Sequence, residues 1–379
     1  MENKTIFLSA GGTGGHLFPA EALAYALKAR GWLVHLLTDQ RAEKFTGNFP
    51  ADETHIIRSA TFASKNPIAI AKTLFELFRG YRQAYKLIGK YQPKAIVGFG
   101  GYPTVPPLSA AKSAGLPIII QEQNAILGRA NKLMSGPAKA IAVGFLQVGT
   151  SGELAVKTVV TGNPLRPPVH EAAIEPYLPS KADDVFNLLI FGGSQGAHFL
   201  SVVLPKALAL LPEDLRQRLN VVQQARPEDQ AEVIAAYKDL DIVAEVSPFF
   251  DHMPMRIAKA QLVICRAGAS SVAELTAIGR PSILVPLPHS LDGDQAANGA
   301  DLAGKGGAML VAQAELSAEK LSAMIADVMG DASRLAKMAA TAKLAAMPDA
   351  SEHLAELVEY VASGGKIEDF KGLARNETA

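Results

Sequence analysis

A glycine-rich segment near the N-terminus could bind a phosphate and hold a reactive side chain beside it. The segment reads GGTGGH from Gly11 to His16, between a β-type apolar run and a run with helical periodicity. Glycines allow the backbone to approach a ligand, and the N–H groups at the start of the following helix attract an anion. An imidazole can accept a proton near neutral pH, so His16 is a candidate general base. A histidine that only caps the turn is the alternative.

The same segment departs from the dinucleotide-binding fingerprint, which needs glycines at positions i, i+2 and i+5. Gly12 and Gly14 fit this spacing, but Leu17 occupies the third position. A second glycine loop fails as well, because Ser194 stands where a glycine is required. Asp39 ends the next predicted strand, where a carboxylate could hold an NAD ribose. An NAD-dependent oxidoreductase therefore stays open as a less favoured class.

Two further loops of the first half carry glycines and carboxamides. The loop GFGGYPTVPP begins at Gly98, and the run IIIQEQN places Glu122, Gln123 and Asn124 at the predicted end of a strand. Ligands of parallel sheets bind at this carboxyl edge. Uncharged amides beside glycines suit the hydroxyls of a sugar better than a metal ion, although each loop alone could be ordinary surface.

The second half contains a comparable set of polar residues in CRAGASSVAEL and HSLDGDQAAN. Small residues and hydroxyls from Gly268 to Ser271 open a predicted helix, which suits a diphosphate. Glu274 follows one turn later and could hold a ribose diol. Gln295 and Asn298 are one helical turn apart and could contact a sugar.

The sequence predicts no catalytic metal ion. Asp292-Gly293-Asp294 matches the D-x-D pattern with which some sugar transferases hold a metal–diphosphate, but Asp239-Leu240-Asp241 matches it too. The eight histidines include no closely spaced pair suited to zinc. Glycine loops and helix N-termini could hold a diphosphate without a metal.

Strand-like and helix-like segments alternate along most of the chain, which predicts an α/β fold with parallel sheets. The runs LSAGGTGGHLFPAEALAYAL and LIFGGSQGAHFLSVVLPKAL share the order strand, double glycine, hydroxyl residue, glycine and helix. We therefore expect two doubly wound, Rossmann-like domains, residues 1–163 and 164–345, joined by a linker rich in proline and glycine over 159–169. Residues 346–379 are expected to form a helical tail that packs back on the first domain.

Composition limits the partners. The 379 residues carry 37 basic and 37 acidic side chains, so no net charge recruits nucleic acid. The single cysteine, Cys265, excludes an intramolecular disulfide and fits a reducing compartment. No leader pattern and no run of about 18 apolar residues is present, so we expect a cytoplasmic protein that does not span a membrane.

One predicted helix could nevertheless touch a membrane surface. Ile70, Leu74 and Phe78 recur at helical spacing within the region Ile68–Lys86. Basic residues flank this stripe: Lys72, Arg79, Arg82 and Lys86. Most such stripes belong to a core, but an apolar face with basic edges is also typical of proteins that rest on anionic bilayers.

The motifs GGTGGH, GFGGY, QEQN, TGNPLR, GGSQGA and CRAGASSVAEL occur in this order. As a set they resemble the MurG family, the bacterial UDP-N-acetylglucosamine–lipid I N-acetylglucosaminyltransferases, from the first strand to about residue 340. The resemblance implies a GT-B fold, with two Rossmann-like domains facing a cleft, and an inverting reaction without metal or cofactor. It implies transfer of GlcNAc from UDP-GlcNAc to the C4 hydroxyl of the MurNAc of lipid I, which gives lipid II, at the cytoplasmic side of the inner membrane.

The resemblance also implies roles for individual residues. His16 falls on the position of the base. Gly100, Gly101 and Tyr102 fall on the loop that helps to bind the acceptor, lipid I; from their position at the predicted strand end we expect Glu122 and Gln123 to contact the acceptor too. The donor, UDP-GlcNAc, would be bound by a larger set: Thr13, Gly14, Gly15, Asn124, Arg166, Ser194, Phe250, Arg266, Gly268, Ala269, Ser270, Ser271, Val272, Ala273, Glu274 and Gln295. The helical spacing from Gln295 adds Asn298 to this set.

The chain departs from the family pattern at Ser270 and Ser271, where an aliphatic residue or threonine is common, and at Asp294, which replaces the first of two glutamines. The tail beyond about Met347 lies outside the motif set. A UDP-GlcNAc 2-epimerase on the same architecture, or a non-catalytic nucleotide-binding module, is the alternative to a transferase. An epimerase would share the donor site but need no lipid acceptor.

Overall fold

The computed structural model describes residues 4–41, 49–61, 66–145, 152–181, 184–193, 196–288, 290 and 293–376, with side chains described as far as residue 371. The chain divides into two compact units. The first comprises residues 1–166 and 349–379, and the second comprises residues 167–348. Each division lies three residues after the expected domain boundary, at 166 instead of 163 and at 348 instead of 345.

The first unit is built on a parallel sheet that has seven strands within the described residues, in the order β3-β2-β1-β4-β5-β6-β7. The strands, numbered along the chain, are β1 Thr5–Ser9, β2 Leu33–Thr38, β3 Glu53–Ile56, β4 Ala95–Gly98, β5 Ile118–Glu122, β6 Ala140–Val143 and β7 Thr158–Val160. Its helices are α1 Gly14–Ala29, α2 Pro67–Tyr91, α3 Val105–Ser113, α4 Arg129–Met134, α5 Glu153–Lys157, α15 Ala350–Ala362 and α16 Ile367–Asn376.

The second unit is built on a parallel sheet of six described strands, in the order β10-β9-β8-β11-β12-β13. The strands are β8 Phe186–Phe191, β9 Leu219–Gln224, β10 Val243–Ser247, β11 Leu262–Cys265, β12 Ser282–Leu284 and β13 Ala308–Leu310. Its helices are α6 Pro167–Ala172, α7 His198–Ala209, α8 Glu213–Arg216, α9 Gln230–Asp239, α10 Met253–Lys259, α11 Ala269–Ile278, α12 Asp294–Gly304, α13 Ala318–Met329 and α14 Ala332–Leu344. The expectation of two Rossmann-like parallel sheets is confirmed.

The central strands are buried on both faces, which explains their continuous apolar sequences. All five residues of β1 are buried, and Ile6 pairs with Val34 of β2 on one side and Ala95 of β4 on the other. The strand order changes direction between β1 and β4, and again between β8 and β11. Such reversals separate the loops at the carboxyl ends of the strands and leave a crevice for ligands. Both glycine loops follow a strand at such a reversal.

The C-terminal tail belongs to the first unit. Leu354 and Val358 of α15 share a buried apolar cluster with Leu23 and Leu27 of α1. The end of α1 adds polar contacts, because the Arg30 guanidinium forms ion pairs with three glutamates of α15: Glu352, Glu356 and Glu359. Helix α15 therefore contributes to the first unit both apolar core contacts and surface ion pairs with α1.

Helix α2 runs from Pro67 to Tyr91, close to the predicted range, and presents apolar side chains to solvent. Leu74 and Phe78 are each 54% exposed, whereas Ile70 is half-buried. The helix carries five basic side chains and one acidic side chain. Among the helices described, none is both long and apolar enough to cross a membrane.

The first sheet brings together two histidines that are 20 residues apart in sequence, a pair that the spacing of the histidines along the chain did not indicate. His35 Nδ1 lies 3.2 Å from His55 Nε2, and Glu53 is within reach of both rings. The Tyr91 hydroxyl donates to Glu53, and the Lys90 ammonium contacts the same hydroxyl. This ammonium disfavours a further cation beside the two rings, and the cluster lies on β2 and β3, not in the glycine loops.

Burial lowers the pKa of His35 and of His55, and Lys90 acts in the same direction, while Glu53 opposes both. The folded protein therefore binds these protons less readily than the unfolded chain, whose histidines have a pKa of about 6.5. This contribution to stability is complete above that pH and is lost as the pH falls below it.

We expect the melting temperature to fall between pH 7.5 and pH 5.5, and the fall to be smaller in His55→Gln, which removes the half-buried ring of the pair. Each kcal/mol lost would lower Tm by about 2–4 °C in a domain of this size. The control is His353→Gln, which removes an exposed histidine of the same unit. An equal fall in wild type, His55→Gln and His353→Gln would contradict this account.

Candidate active site

Asp39 holds the first glycine loop in place. Its Oδ1 accepts the Gly12 N–H at 3.0 Å, and its Oδ2 lies 2.6 Å from Arg41 Nε. A Cβ at Gly11 would lie 2.7 Å from Asp39 Oδ1, so only glycine allows this approach. The carboxylate that the sequence left open as an NAD-ribose ligand is therefore occupied by the loop itself. This placement gives the carboxylate a structural role in the loop.

His16 lies in the first turn of α1, half-buried, with a hydrogen-bond partner on a neighbouring strand end. Its Nδ1 is 3.0 Å from Oε1 of Gln123, which directly follows β5. The glycines after β4 border the ring: a Cβ at Gly101 would lie 3.2 Å from His16 Cδ2, and one at Gly100 would lie 3.4 Å from Cε1. Gly100 and Gly101 have positive φ angles of +89° and +77°, respectively, which favours glycine whether or not a side chain would have room.

The contact between Gln123 and His16 corrects one expectation. The sequence placed Gln123 among the acceptor ligands, but its side chain is 2% exposed and faces His16. Tyr102, by contrast, is exposed at the start of a short 3₁₀ turn, beside Gly100 and Gly101. The structure thus brings His16, Gly100, Gly101 and Gln123 together, with Tyr102 at their edge.

Glu122 also differs from the expectation of acceptor contact. It is 1% exposed, and its two oxygens accept from the N–H and Nδ2 of Asn124, from the Gly128 N–H and from Asn131 Nδ2. Four donors satisfy a buried carboxylate, which otherwise is costly to remove from water. Glu122 therefore shapes the loop between β5 and α4 that presents Asn124.

Arg166 belongs to the first unit, although the sequence placed it with the second. Its guanidinium lies 3.8 Å from the centroid of the Phe18 ring and 3.7 Å from Glu21 Oε2. Burial raises the pKa of the Glu21 carboxyl, while Arg166 opposes this shift. Of the other donor residues expected in this unit, Gly14 is buried and Thr13 half-buried, while Gly15 is exposed.

The glycine loop of the second unit follows the pattern of the first. The Gly192 N–H donates to Gln224 Oε1 at 3.0 Å. A carboxamide at the end of the neighbouring strand β9 therefore supports this loop. A Cβ at Gly192 would lie 2.4 Å from Ala197 N, and Gly193 and Gly196 have φ of +84° and +68°. Ser194, expected to contact the diphosphate, lies outside the described residues.

Arg266 and Ser270 supply buried polar atoms that have no hydrogen-bond partner among the described residues. Arg266 donates from Nη1 to the carbonyls of Val285 and Pro286, and from Nη2 to Gln313 Oε1 at 2.7 Å. Its Nε and the Ser270 hydroxyl remain unsatisfied. Burial lowers the pKa of Arg266. Unpaired buried donors next to the start of α11 are what a bound anion would satisfy.

The other residues of α11 differ in whether their backbone or their side chain is available to a ligand. Gly268 is the N-cap, and Ala269 and Val272 are buried, so these residues offer a ligand mainly their backbone. Ser271, Ala273 and Glu274 are half-buried. Burial raises the pKa of the neighbouring Cys265 thiol, as does Glu274, which leaves this thiol unreactive.

Asn298 contradicts the expectation that it contacts a sugar. It is 1% exposed and donates from Nδ2 to the Ala267 carbonyl at 3.1 Å, so it supports the loop between β11 and α11. Gln295 is half-buried, and its side-chain oxygen accepts the Leu287 N–H at 2.9 Å, so its amide nitrogen points away from Leu287.

Phe250 lines a cavity of about 540 Å³. The guanidinium carbon of Arg256 lies 4.4 Å from the centroid of the Phe250 ring.

Known proteins match the chain along nearly its whole length. The glycosyltransferase family 28 N-terminal domain matches residues 6–143, and the family 28 C-terminal domain matches residues 187–354. A UDP-N-acetylglucosamine–N-acetylmuramyl-(pentapeptide) pyrophosphoryl-undecaprenol N-acetylglucosamine transferase of Rhizobium meliloti is 58% identical over 371 residues, 98% of this chain and 99% of the relative. The similarity thus extends beyond residue 340, where the motif set ends.

Solved structures agree with this assignment. MurG of Acinetobacter baumannii has a TM-score of 0.75 at 29% identity and covers 94% of this chain and 99% of its own. A putative UDP-N-acetylglucosamine 2-epimerase of Listeria monocytogenes has a TM-score of 0.67 at 12% identity, covering 97% and 99%, and shares the fold alone. The fold is GT-B, and the chain belongs to glycosyltransferase family 28, within its UDP-N-acetylglucosamine–N-acetylmuramyl-(pentapeptide) pyrophosphoryl-undecaprenol N-acetylglucosamine transferases.

Proposed function

We propose that this chain transfers GlcNAc from UDP-GlcNAc to the C4 hydroxyl of the MurNAc of lipid I and so forms lipid II. The near full-length identity with transferases of that name supports the reaction. The observation that carries the mechanism is His16, whose Nδ1 is engaged by Gln123 while no hydrogen bond to its Nε2 occurs among the described residues. An imidazole held in this way is a suitable general base.

The second unit binds the donor. The diphosphate lies at the N-terminus of α11, where Arg266 Nε and the Ser270 hydroxyl would donate to it together with the backbone N–H groups. The hydroxyl of Ser194 contributes from the glycine loop. Glu274 holds the ribose diol, Phe250 lies on the uracil side, and the Gln295 amide nitrogen contacts the sugar.

The first unit binds the acceptor near Gly100, Gly101 and Tyr102. The C4 oxygen of the muramyl sugar attacks C1 of GlcNAc as Nε2 of His16 takes its proton. The bond between C1 and the diphosphate oxygen breaks with its electron pair on UDP, and the α-linkage of the donor becomes a β-linkage. Donors already oriented toward the diphosphate stabilise the growing charge, which is commonly a large catalytic contribution.

No metal ion is needed in this mechanism. The helix N-terminus and the buried Arg266 guanidinium place positive charge where a divalent ion would otherwise lie against the diphosphate. Asp294 is a member of the D-x-D pattern, but it occupies the first turn of α12. We therefore include metal independence in the proposal.

The acceptor carries a lipid, and helix α2 offers a surface that could meet the bilayer from its cytoplasmic side. Leu74, Phe75 and Phe78 are exposed among an excess of basic side chains. Apolar groups gain free energy by leaving water, and each nearby Lys or Arg adds about 1 kcal/mol on an anionic surface. We propose that the chain is a peripheral protein of the inner membrane and binds anionic lipids through the region Ile68–Lys86.

The proposed reaction predicts that UDP is released from UDP-GlcNAc only when a lipid I analogue is present, and that EDTA does not change the rate. His16→Ala should lower kcat by about 10²–10⁴-fold, the usual contribution of a general base. Its affinity for UDP should stay near that of wild type, because the side chains proposed to hold the UDP moiety, such as Phe250, Arg266 and Glu274, belong to the second unit and His16 to the first. A new UDP-sugar formed without acceptor would instead indicate an epimerase, and unchanged kcat would remove His16 from the role of base.

The close approach of Gly101 to His16 predicts a second effect on turnover. Gly101→Ala should lower kcat roughly 10–100-fold, because its methyl group would displace the imidazole and small misplacements of this kind are costly. Gly115→Ala is the matched control: Gly115 also has positive φ, +69°, but its Cβ would meet nothing within 4 Å. Both variants strain a backbone of positive φ, and the loss of stability should be larger for Gly101→Ala, because ψ at Gly101 is 155°, a combination that essentially only glycine adopts; kcat is therefore compared for folded protein. Equal kcat in the two variants would argue against the contact.

If helix α2 contacts the membrane, the double variant Leu74→Ser, Phe78→Ser should bind vesicles of phosphatidylglycerol and phosphatidylcholine roughly tenfold or more weakly than wild type. The reason is that two apolar side chains that would enter the bilayer are lost. The control is Ile174→Ser, Leu178→Ser, which alters two exposed apolar residues of the second unit. Sedimentation with vesicles measures both. Equal binding by the two double variants would place the membrane contact elsewhere.

A further inference from the structure

We infer that Gln123 is a positioning residue for His16, because its side-chain carbonyl holds the imidazole in the form protonated at Nδ1 and so keeps Nε2 available as the proton acceptor. This inference rests on the proposed function and adds a residue that acts through the base. Gln123 itself is buried, so it does not need to touch either substrate.

The orientation of the Gln123 amide follows from its other contacts. Its Nε2 lies 2.9 Å from the Phe99 carbonyl oxygen and 3.2 Å from the Gln121 carbonyl oxygen, and it also contacts the side-chain oxygen of Gln121. Carbonyl oxygens only accept hydrogen bonds, so the nitrogen of the amide must face them. Its oxygen must then face His16, 3.0 Å from Nδ1. An oxygen acceptor requires a proton on Nδ1, and a neutral imidazole then has its lone pair on Nε2.

The backbone of Gln123 is fixed as well. Its carbonyl oxygen accepts from Asn163 Nδ2 at 2.9 Å, and Asn163 Oδ1 accepts from Gln121 Nε2 at 3.3 Å. Both of these side chains are buried. The support of His16 is thus a set of uncharged carboxamides attached to the end of β5.

An uncharged support has a specific chemical effect. The Gln123 oxygen can accept from Nδ1 before and after His16 gains a proton at Nε2, and the bond strengthens when its donor becomes charged. The imidazolium is therefore stabilised without a second buried ion, whose desolvation would be costly. A hydrogen bond to Nδ1 matters for catalysis because the tautomer protonated at Nε2 has no lone pair on that nitrogen with which to accept a proton.

Gln123→Met tests the inference, because methionine is similar in size but lacks the amide. We expect kcat to fall roughly 10–100-fold, part of the full effect of a general base, while KM for UDP-GlcNAc is little changed. Gln223→Met is the matched control, since Gln223 is an equally buried glutamine in the second unit that bonds only Tyr237 among the described residues.

A double-mutant cycle separates positioning from simple support of the fold. In the His16→Ala background Gln123→Met should cause no further loss of kcat, because its effect passes through the imidazole. An equal fold loss with and without His16 would overturn the inference.

The ¹⁵N shifts of the His16 ring, assigned by comparison with His16→Ala, give a readout that does not depend on activity. The wild-type ring should be protonated at Nδ1, and Gln123→Met should shift the population toward the other tautomer. An unchanged tautomer in Gln123→Met would overturn the inference. Turnover lost in His16→Ala but kept in Gln123→Met would overturn this inference alone, whereas turnover kept in His16→Ala would overturn the proposed base as well.

Discussion

The reversal of strand order in each sheet is the constraint on which the rest of the structure depends. Parallel strands end at one edge, and the connections on either side of β1 and β4, or of β8 and β11, lead away from each other. The backbone of a glycine-rich loop can then approach a ligand that lies in the gap between the loops. The positive φ angles of Gly12, Gly100 and Gly193 are local solutions to this requirement. A loop with ordinary side chains would fill the space that a ligand needs.

Buried polar side chains then fix the loops. In both units a carboxamide or carboxylate from a neighbouring strand end binds a glycine N–H: Asp39 binds Gly12, and Gln224 binds Gly192. Glu122 likewise accepts the Gly128 N–H, whereas Asn298 donates to the Ala267 carbonyl; both contacts fix the loops beside them. Among the buried side-chain atoms that have no hydrogen-bond partner in the described residues, Arg266 Nε and the Ser270 hydroxyl lie beside the start of α11, where a helix N-terminus attracts an anion.

Much of the architecture follows from the sequence, because continuous apolar strands and periodic helices alternate over most of its length. Helix α2 and the two Rossmann-like units were predictable in this way. The roles of Glu122, Gln123 and Asn298 were not, since a polar residue at a strand end or on a helix can face a ligand or a loop, and only the fold shows which. The pair His35 and His55 also required the register of β2 and β3. Arg280 is a further case: it is buried and donates to the carbonyls of Ala258 and Glu175, which are 22 and 105 residues away in sequence, so its neighbours in the chain did not indicate this role.

The return of α15 to the first unit has a consequence for the order in which the chain can fold during synthesis. Leu354 and Val358 complete the apolar cluster that α1 begins. A ribosome has therefore produced all of residues 167–348 before the residues that close the first core emerge. The unit encoded in the middle of the gene can finish folding first, while the N-terminal half waits with one side of α1 uncovered. Nascent chains would thus present a temporary apolar surface, to which chaperones bind, at the N-terminal end of the molecule.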